Sequence, residues 1–355
     1  MRPDVSESFT FLLRYSSACG IKNMMKAGAS AGRRALGETG PAPHSSSQRP
    51  TTVPSDGETP TNGVLTPHRV SRKGKGASVS GMPPDSLKQL SRALKKQWQR
   101  YRRDLVRCQK RFSEKSVHEL RVAARRLLST VELLEPFLSR RQVGEFSRCL
   151  KQHLDCFDDL RDTQVQLPLV KELRKDFSGA DRFYDWLQKR ETRFAKQTRE
   201  RVAQIKTKPL ARLVSGCRKA AERRQSSAPG KLVLGAVERA FRQAKVLRAR
   251  IDPGNTHTIH RTRVAFKKFR YMVELLAERL LPISKKRLGR MHGYQTLMGS
   301  IQDAEVLLLA FDKFMRKKKL DPGFARRLRA ELLRRRKELI RLYLDAADQL
   351  DSFWP

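Results

Sequence analysis

The stretch Val117–Leu127, VHELRVAARRL, returns later in the chain as Ile259–Phe269, IHRTRVAFKKF. The offset that takes His118 to His260 holds through the segment VELL, which stands at 131–134 and again at 273–276. Each copy combines a histidine with two or more basic residues and a regular set of apolar residues. This repeated stretch decides the fold, because self-similarity over a fixed offset indicates a duplicated structural unit.

A second pair of segments strengthens the repeat. The sequence LRDTQV at 160–165 matches IQDAEV at 301–306, and the offset is shorter than that of the first pair by a single position. Two matched blocks in the same order at nearly the same offset are hard to obtain by chance. The sequence therefore predicts two homologous halves of about four helices each, divided near residues 225–230.

The pattern around both copies is helical. From about residue 84 onwards Leu, Ala, Arg, Lys, Glu and Gln dominate, and all of them favour helices. Apolar residues recur at intervals of three and four, and the alternation typical of strands is absent. Breakers such as Pro229-Gly230 and Pro253-Gly254 separate the helical segments. Long helices joined by short loops predict an all-α fold of two four-helix bundles, over residues 82–227 and 228–355.

Residues 1–81 differ from the rest of the chain. They are rich in Gly, Pro, Ser and Thr and show no sustained period, so we expect a disordered tail. The tail contains 11 Lys and Arg against 5 Asp and Glu, so it is basic. Met24, Met25 and Met82 are alternative starts of the chain, and a transit peptide is a further interpretation of this segment.

The charge of the chain predicts a polyanionic partner. There are 76 Lys and Arg against 36 Asp and Glu, a formal net charge of +40, and most of it lies outside the tail. Self-repulsion of this size opposes compaction unless an anionic ligand or counter-ions offset it. Nucleic acid, an anionic membrane surface and a condensed phosphate polymer are the candidate partners. No apolar run is long enough for a transmembrane helix, so membrane insertion is not expected. Five scattered cysteines suit a reducing cytoplasm.

Helical geometry sorts the repeated stretch into two faces. At about 100° per residue, His118, Arg121 and Arg125 share one face, and the apolar residues cluster on the opposite side. Donors one helical turn apart suit a ligand of repeated phosphates, because Arg offers a planar fork and Lys a point charge. A merely solvated basic surface is the alternative, but the pattern occurs twice. Glu132 and Glu274 fall on the same polar face and are interpreted as ion-pair partners of long basic side chains.

No catalytic, cofactor or metal site is predicted. The sequence has no Gly-rich phosphate loop, no Gly-x-Ser-x-Gly elbow and no His-Glu-x-x-His motif. His257 and His260 have a metal-like spacing, but His257 aligns with Lys115 in the first copy, which argues against a required ligand pair. A polyphosphate-processing enzyme is therefore a less favoured alternative. Few aromatic residues lie among the basic residues to stack on bases, which argues against a single-stranded nucleic acid. Binding to a duplex backbone needs only charge, so nucleic acid remains the main rival partner.

The doubled pattern His-x-x-Arg-Val-x-x-basic-basic, each copy followed by its Asp block, resembles the CHAD family, the conserved histidine alpha-helical domain. The resemblance covers roughly residues 84–352. It implies two four-helix bundles related by a pseudo-two-fold axis, with a basic central groove or pore that binds inorganic polyphosphate. Some members of the family associate with polyphosphate granules, which is a further expectation for a chain that we predict to be non-enzymatic and cytoplasmic.

The resemblance also implies a set of polyphosphate-binding residues. In the two copies these are His118, Arg121, Arg125, Arg126, His260, Arg263, Lys267, Lys268 and Arg270. Further candidates on the following helices are Arg148, Lys151, Arg287 and Arg290. Two departures disturb the symmetry: Leu128 stands where the second copy has Arg270, and Gln302 stands where the first has Arg161.

Overall fold

The computed structural model describes residues 85–224, 226, 228–278, 280–317 and 320–355. The expected disordered tail lies outside these residues. Within them, the chain folds into α-helices joined by short turns and contains no strand, so the all-α class is confirmed. No helix in these ranges is both long and apolar enough to span a bilayer.

The described part of the first half contains six α-helices rather than the expected four or so. They are α1 (Ser86–Lys110), α2 (Glu114–Leu133), α3 (Arg140–Asp155), α4 (Asp158–Leu173), α5 (Asp181–Ala203) and α6 (Lys208–Arg223). The sequence places a cap at two of the starts. Ser113 and Ser139 each accept a hydrogen bond from the backbone N–H three residues later, which satisfies a donor that the helix itself leaves unpaired.

The described part of the second half contains four α-helices, as the sequence predicted. They are α7 (Pro229–Arg248), α8 (Thr256–Ala277), α9 (Lys285–Lys317) and α10 (Pro322–Ala346). Asn255 caps α8, and the offset that relates His118 to His260 also relates Asn255 to Ser113, which caps α2. The two copies of the repeated stretch therefore begin their helices at equivalent residues.

The extra helices of the first half have local causes. The long helix α9 matches α3 and α4 together, since the first half breaks between Asp155 and Asp158 where α9 continues. Helix α6 has no helical counterpart in the described residues, where the chain ends instead in the 3-10 turn Ala347–Ser352. Phe353 and Trp354 after this turn are buried against Phe266 and Phe269 of α8. The domain boundaries and the pseudo-two-fold axis stay predictions.

The two halves pack directly on each other. Helix α2 packs against α8, and α4 packs against α9. At one edge of this interface Phe183 of α5 meets Phe311 and Phe314 of α9, with ring centroids 5.2 Å apart in both pairs. Burying an aromatic ring of this size contributes roughly 1.5–3 kcal/mol. Apolar packing of this kind helps to hold the two halves together in spite of the positive charge that each carries.

Candidate functional site

The two repeated helices bring their basic faces together at the centre of the molecule. Lys267 of α8 lies within electrostatic range of Arg263 on its own helix, Arg121 and Arg125 on α2, and Arg161 on α4. We call these five side chains the central cluster. Four of them are predicted site residues, two from each half, and the fifth comes from the Asp block.

The central cluster is crowded with positive charge. Burial, followed by the four neighbouring arginines, lowers the pKa of Lys267 from the usual value of 10.5 to about 6. Burial, followed by Arg125 and Arg161, lowers the pKa of Arg121 from 12.5 to about 10. The pKa of Arg263 is also lowered, chiefly by burial. The folded protein therefore holds these cations in an environment that penalises their charge, and an anion would relieve the penalty.

Three carboxylates offset part of this charge. Arg161 donates to Asp162 Oδ1 at 3.0 Å and to Asp303 Oδ1 at 3.2 Å, the second bond reaching across from α4 to α9. Asp158 Oδ1 lies 3.7 Å from Arg121 Nη2. Burial lowers the pKa of Arg161, but the two carboxylates that it binds raise the pKa by more. The four guanidinium groups alone still outnumber the three carboxylates.

Several buried nitrogen atoms at the site have no hydrogen-bond partner among the described residues. They are Arg121 Nη1, Arg263 Nε and His260 Nδ1. A buried polar group left unsatisfied costs about 1–3 kcal/mol. Phosphate oxygens accept hydrogen bonds strongly from guanidinium groups. The arrangement is therefore incomplete in the free protein, in a way that an oxyanion would complete.

A cleft of about 810 Å³ opens between α2, α3, α7 and α8. Its basic lining residues are Arg125, Lys151, His260, Arg261, Lys267 and Lys268. Its acidic lining residues are Glu132, Asp155 and Asp158. Arg125 and Lys267 belong both to the cleft lining and to the central cluster. A ligand in the cleft can therefore contact these two basic side chains of the cluster.

The second basic residue of each copy ties the halves together. Arg126 Nη1 of α2 lies 3.0 Å from Glu278 Oε1 after α8, and Lys268 Nζ of α8 lies 3.5 Å from Glu132 Oε1 of α2. These side chains already have anionic partners, unlike most of the central cluster. The interpretation of Glu132 as an ion-pair partner of a basic side chain agrees with this contact.

Some predicted site residues lie away from the cleft lining. His118 is exposed at the start of α2. Arg270 is buried, donates to Gln295 Oε1 at 2.8 Å and pairs with Glu274, so its guanidinium is engaged on the side of α9. Arg148 is exposed on α3 and Arg287 is half-buried on α9; neither lines the cleft, nor does Arg290, which donates to Ser352 Oγ at 2.8 Å. Of the four further candidates, Lys151 lines the cleft.

Sequence reasoning missed two members of the site. Arg161 was noted as a departure from the repeat but was not assigned to binding, and Asp158 was not noted at all. The signal for Asp158 was available, because the offset that matches Leu160 with Ile301 aligns it with Gly299. A carboxylate opposite a glycine is a difference in charge between two otherwise matching halves.

Comparison with known proteins gives a consistent picture of the fold. The family model of the CHAD domain matches residues 87–312. The crystal structure of the CHAD domain from the plant Ricinus communis is 18% identical, covers 75% of this chain and 89% of its own, and has a TM-score of 0.53. PptA from Streptomyces chartreusis is 16% identical, covers 74% of this chain and 99% of its own, and has a TM-score of 0.58. No curated protein matches the sequence.

Proposed function

Because the chain belongs to the CHAD domain family, which is associated with polyphosphate and triphosphate binding, we propose that it binds inorganic polyphosphate without processing it. The supporting observation is the central cluster, where five basic side chains face three carboxylates and two buried arginine nitrogens, Arg121 Nη1 and Arg263 Nε, have no hydrogen-bond partner among the described residues. The ligand lies in the cleft, with Arg125, Lys267, Lys268 and His260 around it. We further propose that the protein is cytoplasmic and that this binding directs it to polyphosphate granules.

The chemistry of the cleft favours a phosphate polymer over nucleic acid. Proteins that bind single strands usually stack bases on aromatic side chains. Among Phe, Tyr and Trp, the described lining of the cleft contains Tyr271 alone. A polyphosphate chain presents only oxyanions, and the lining offers guanidinium, ammonium and imidazole groups to bind them. Nucleic acid is then a competitor for general surface charge rather than the ligand of the cleft.

A charge-matched pair of variants tests the assignment. The binding variant replaces Arg121, Arg125, Arg263 and Lys267 with Ala. The control replaces Arg92, Lys95, Lys96 and Lys110, four exposed basic residues of α1, with Ala and so removes the same formal charge. We expect the binding variant to lose at least about 100-fold in affinity for long-chain polyphosphate, since several charge-assisted bonds are lost together. Equal losses in both variants would mean that the cleft is not the binding site.

Two further measurements separate the alternatives. Affinity should fall steeply with salt, as it does for other polyanions bound through counter-ion release. Duplex DNA added at equal phosphate concentration should not displace polyphosphate at physiological salt, and displacement would favour the nucleic-acid alternative. Incubation of the protein and polyphosphate with divalent metal ions should release no orthophosphate, and release would show an enzyme.

A further inference from the structure

The two halves treat their equivalent arginines differently. Arg121 and Arg263 are related by the offset that takes His118 to His260. Arg121 Nη2 lies 3.7 Å from Asp158 Oδ1. Arg263 lies against Gly299, where an added Cβ would be 3.5 Å from Arg263 Nε. Asp158 and Gly299 are themselves equivalent in the second matched block, so one arginine has a carboxylate beside it where its counterpart packs against a glycine.

The helix break of the first half explains how Asp158 is placed. Asp158 is the first residue of α4, and Phe157 before it provides no side-chain cap. Backbone N–H groups at a helix start are unpaired and attract negative charge. Helix α9 runs without a break through Gly299, so the second half has no helix start at this level. Asp158 therefore occupies a position that attracts an anion, and its counterpart does not.

Asp158 balances the charge of Arg121 without satisfying its hydrogen bonds. A separation of 3.7 Å is too long for a hydrogen bond, and Arg121 Nη1 has no partner in the described part of the chain although the side chain is only 7% exposed. The Asp158 side chain is 62% exposed and lines the cleft. The carboxylate is thus loosely held at the place where a ligand enters. A phosphate oxygen in its position would bring both negative charge and an acceptor to Arg121.

We propose that Asp158 is an internal competitor of the anionic ligand, which must displace its carboxylate from Arg121. Arg263 instead packs against Gly299 and, of the described carboxylates, has only the buried Asp303 within electrostatic range, so no carboxylate of the cleft lining competes for it. This inference rests on the proposed function and adds a specificity-determining residue to the same site. The cleft is then unequal along its length. The affinity of the whole site is held down by one carboxylate of the chain itself.

Neighbouring aspartates provide a matched test. Asp158→Asn and Asp159→Asn each remove one negative charge from the first turn of α4, so both change the helix start and the net charge equally. Asp159 interacts instead with Arg190 of α5. We expect Asp158→Asn to raise the affinity for end-labelled long-chain polyphosphate about 5-fold, since a competing charge at close range is removed, and Asp159→Asn to change it less than about 2-fold.

The reciprocal change adds a carboxylate beside Arg263. Gly299→Asp should lower the affinity about 5-fold relative to Gly299→Ala, because the new carboxylate lies beside Arg263 as Asp158 lies beside Arg121. The alanine variant is the control for added bulk, and its Cβ has ordinary contact distances. Thermal unfolding of all four variants checks that each is folded at the temperature of the binding experiment.

The outcomes separate this inference from the function on which it rests. Suppose that wild-type protein binds polyphosphate, in contrast to the binding variant without Arg121, Arg125, Arg263 and Lys267. If Asp158→Asn then binds no better than Asp159→Asn, the competitor role is wrong and the function stands. If the binding variant binds as tightly as wild type, the cleft is not the binding site and the inference fails with it; if wild-type protein does not bind polyphosphate, the proposed function itself fails. Tighter binding by Asp158→Asn alone, with weaker binding by Gly299→Asp, supports both.

Discussion

Arg161 Nη2 lies 3.2 Å from Asp303 Oδ1, and this bond joins α4 of the first half to α9 of the second. Arg161 also binds Asp162, so one guanidinium serves two carboxylates whose pKa values are raised by burial. Arg161 is therefore the cation that pairs with both of these carboxylates beside the central cluster. The pKa of Arg161 is raised, because the effect of the two carboxylates exceeds that of burial, so the folded state favours the charged form of this arginine.

Replacing Arg161 with Met should destabilise the protein by about 1–2 kcal/mol at pH 7, because two partly buried carboxylates lose their partner. The loss should shrink as the pH falls, since Asp162 and Asp303 then take up protons. Urea unfolding at neutral and acidic pH measures both effects. Arg329→Met removes an exposed ion pair with Asp312 and should cost less than about 1 kcal/mol. Equal costs for the two variants would contradict this account of Arg161.

Lys267 predicts that polyphosphate binding takes up a proton. Its pKa of about 6 in the free protein lies below the usual value of 10.5, and an anion in the cleft should raise it. Affinity should therefore increase as the pH falls from 8 towards 6. Calorimetry at pH 8 in buffers of different ionisation enthalpy measures the proton uptake. Lys267→Met should abolish it at this pH, and unchanged uptake in that variant would assign the proton to another group.

The same lysine predicts how stability depends on pH without ligand. A lysine with a lowered folded-state pKa binds fewer protons in the folded than in the unfolded state between pH 6 and 10.5. Its contribution therefore makes the protein more stable as the pH rises through this range. Lys267→Met should flatten that dependence in urea unfolding between pH 6 and 9. A steeper dependence in the variant would contradict the predicted sign.

Glu132→Gln should leave stability at pH 7 unchanged or slightly increased. Burial raises the pKa of Glu132 in spite of the opposing effect of Lys268, so the charged carboxylate is less favourable in the folded than in the unfolded protein. That cost is present above the folded-state pKa and is lost as the pH falls below the unfolded value. Any gain in stability at pH 7 should disappear near pH 4 in urea unfolding, and a loss of stability at pH 7 would contradict this account. Glu278→Gln, at a more exposed ion pair, should change stability by less than about 0.5 kcal/mol at either pH.

Arg270 and Arg263 should separate stability from binding. Arg270→Ala leaves Glu274 without its partner in a mostly buried position, and we expect a loss of about 2–3 kcal/mol in unfolding free energy. Its affinity for polyphosphate, measured well below the unfolding temperature, should stay within about 2-fold because the lost group faces α9. Arg263→Ala should show the reverse, with binding weakened about 10-fold. A large binding loss for Arg270→Ala would return this residue to the ligand site.

The sequence was sufficient for the fold class and for the residues that face the centre. Helical spacing alone puts Arg121 and Arg125 on one face, and the repeat puts Arg263 and Lys267 at the matching positions. The number of helices in the first half was less predictable. Asp155 and Asp158 flank a break that contains neither Gly nor Pro, and α9 passes the equivalent position unbroken, so no local signal marked it.

Helical spacing could not identify the partner of each cation. Arg270 lies seven residues after Arg263 and shares its face on an ideal helix, yet Gln295 of α9 and Glu274 engage it. Arg126 and Lys268 look identical to their neighbours in the sequence, but each forms an ion pair across the interface between the halves. Such partners depend on which helices pack together, and that information is not contained in the period of a single helix.

Because α2 supplies Arg121 and Arg125 while α8 supplies Arg263 and Lys267, cutting the backbone between α6 and α7 would remove no cation at all. The cut would instead remove the chain connection that keeps the basic side chains of α2 and α8 close together. In a detached fragment the lysine would titrate much as it does in water, with no guanidinium groups from the other piece beside it. Recovery of its unusual acidity on mixing the two fragments would therefore report their reassembly, without any label and before any ligand is added.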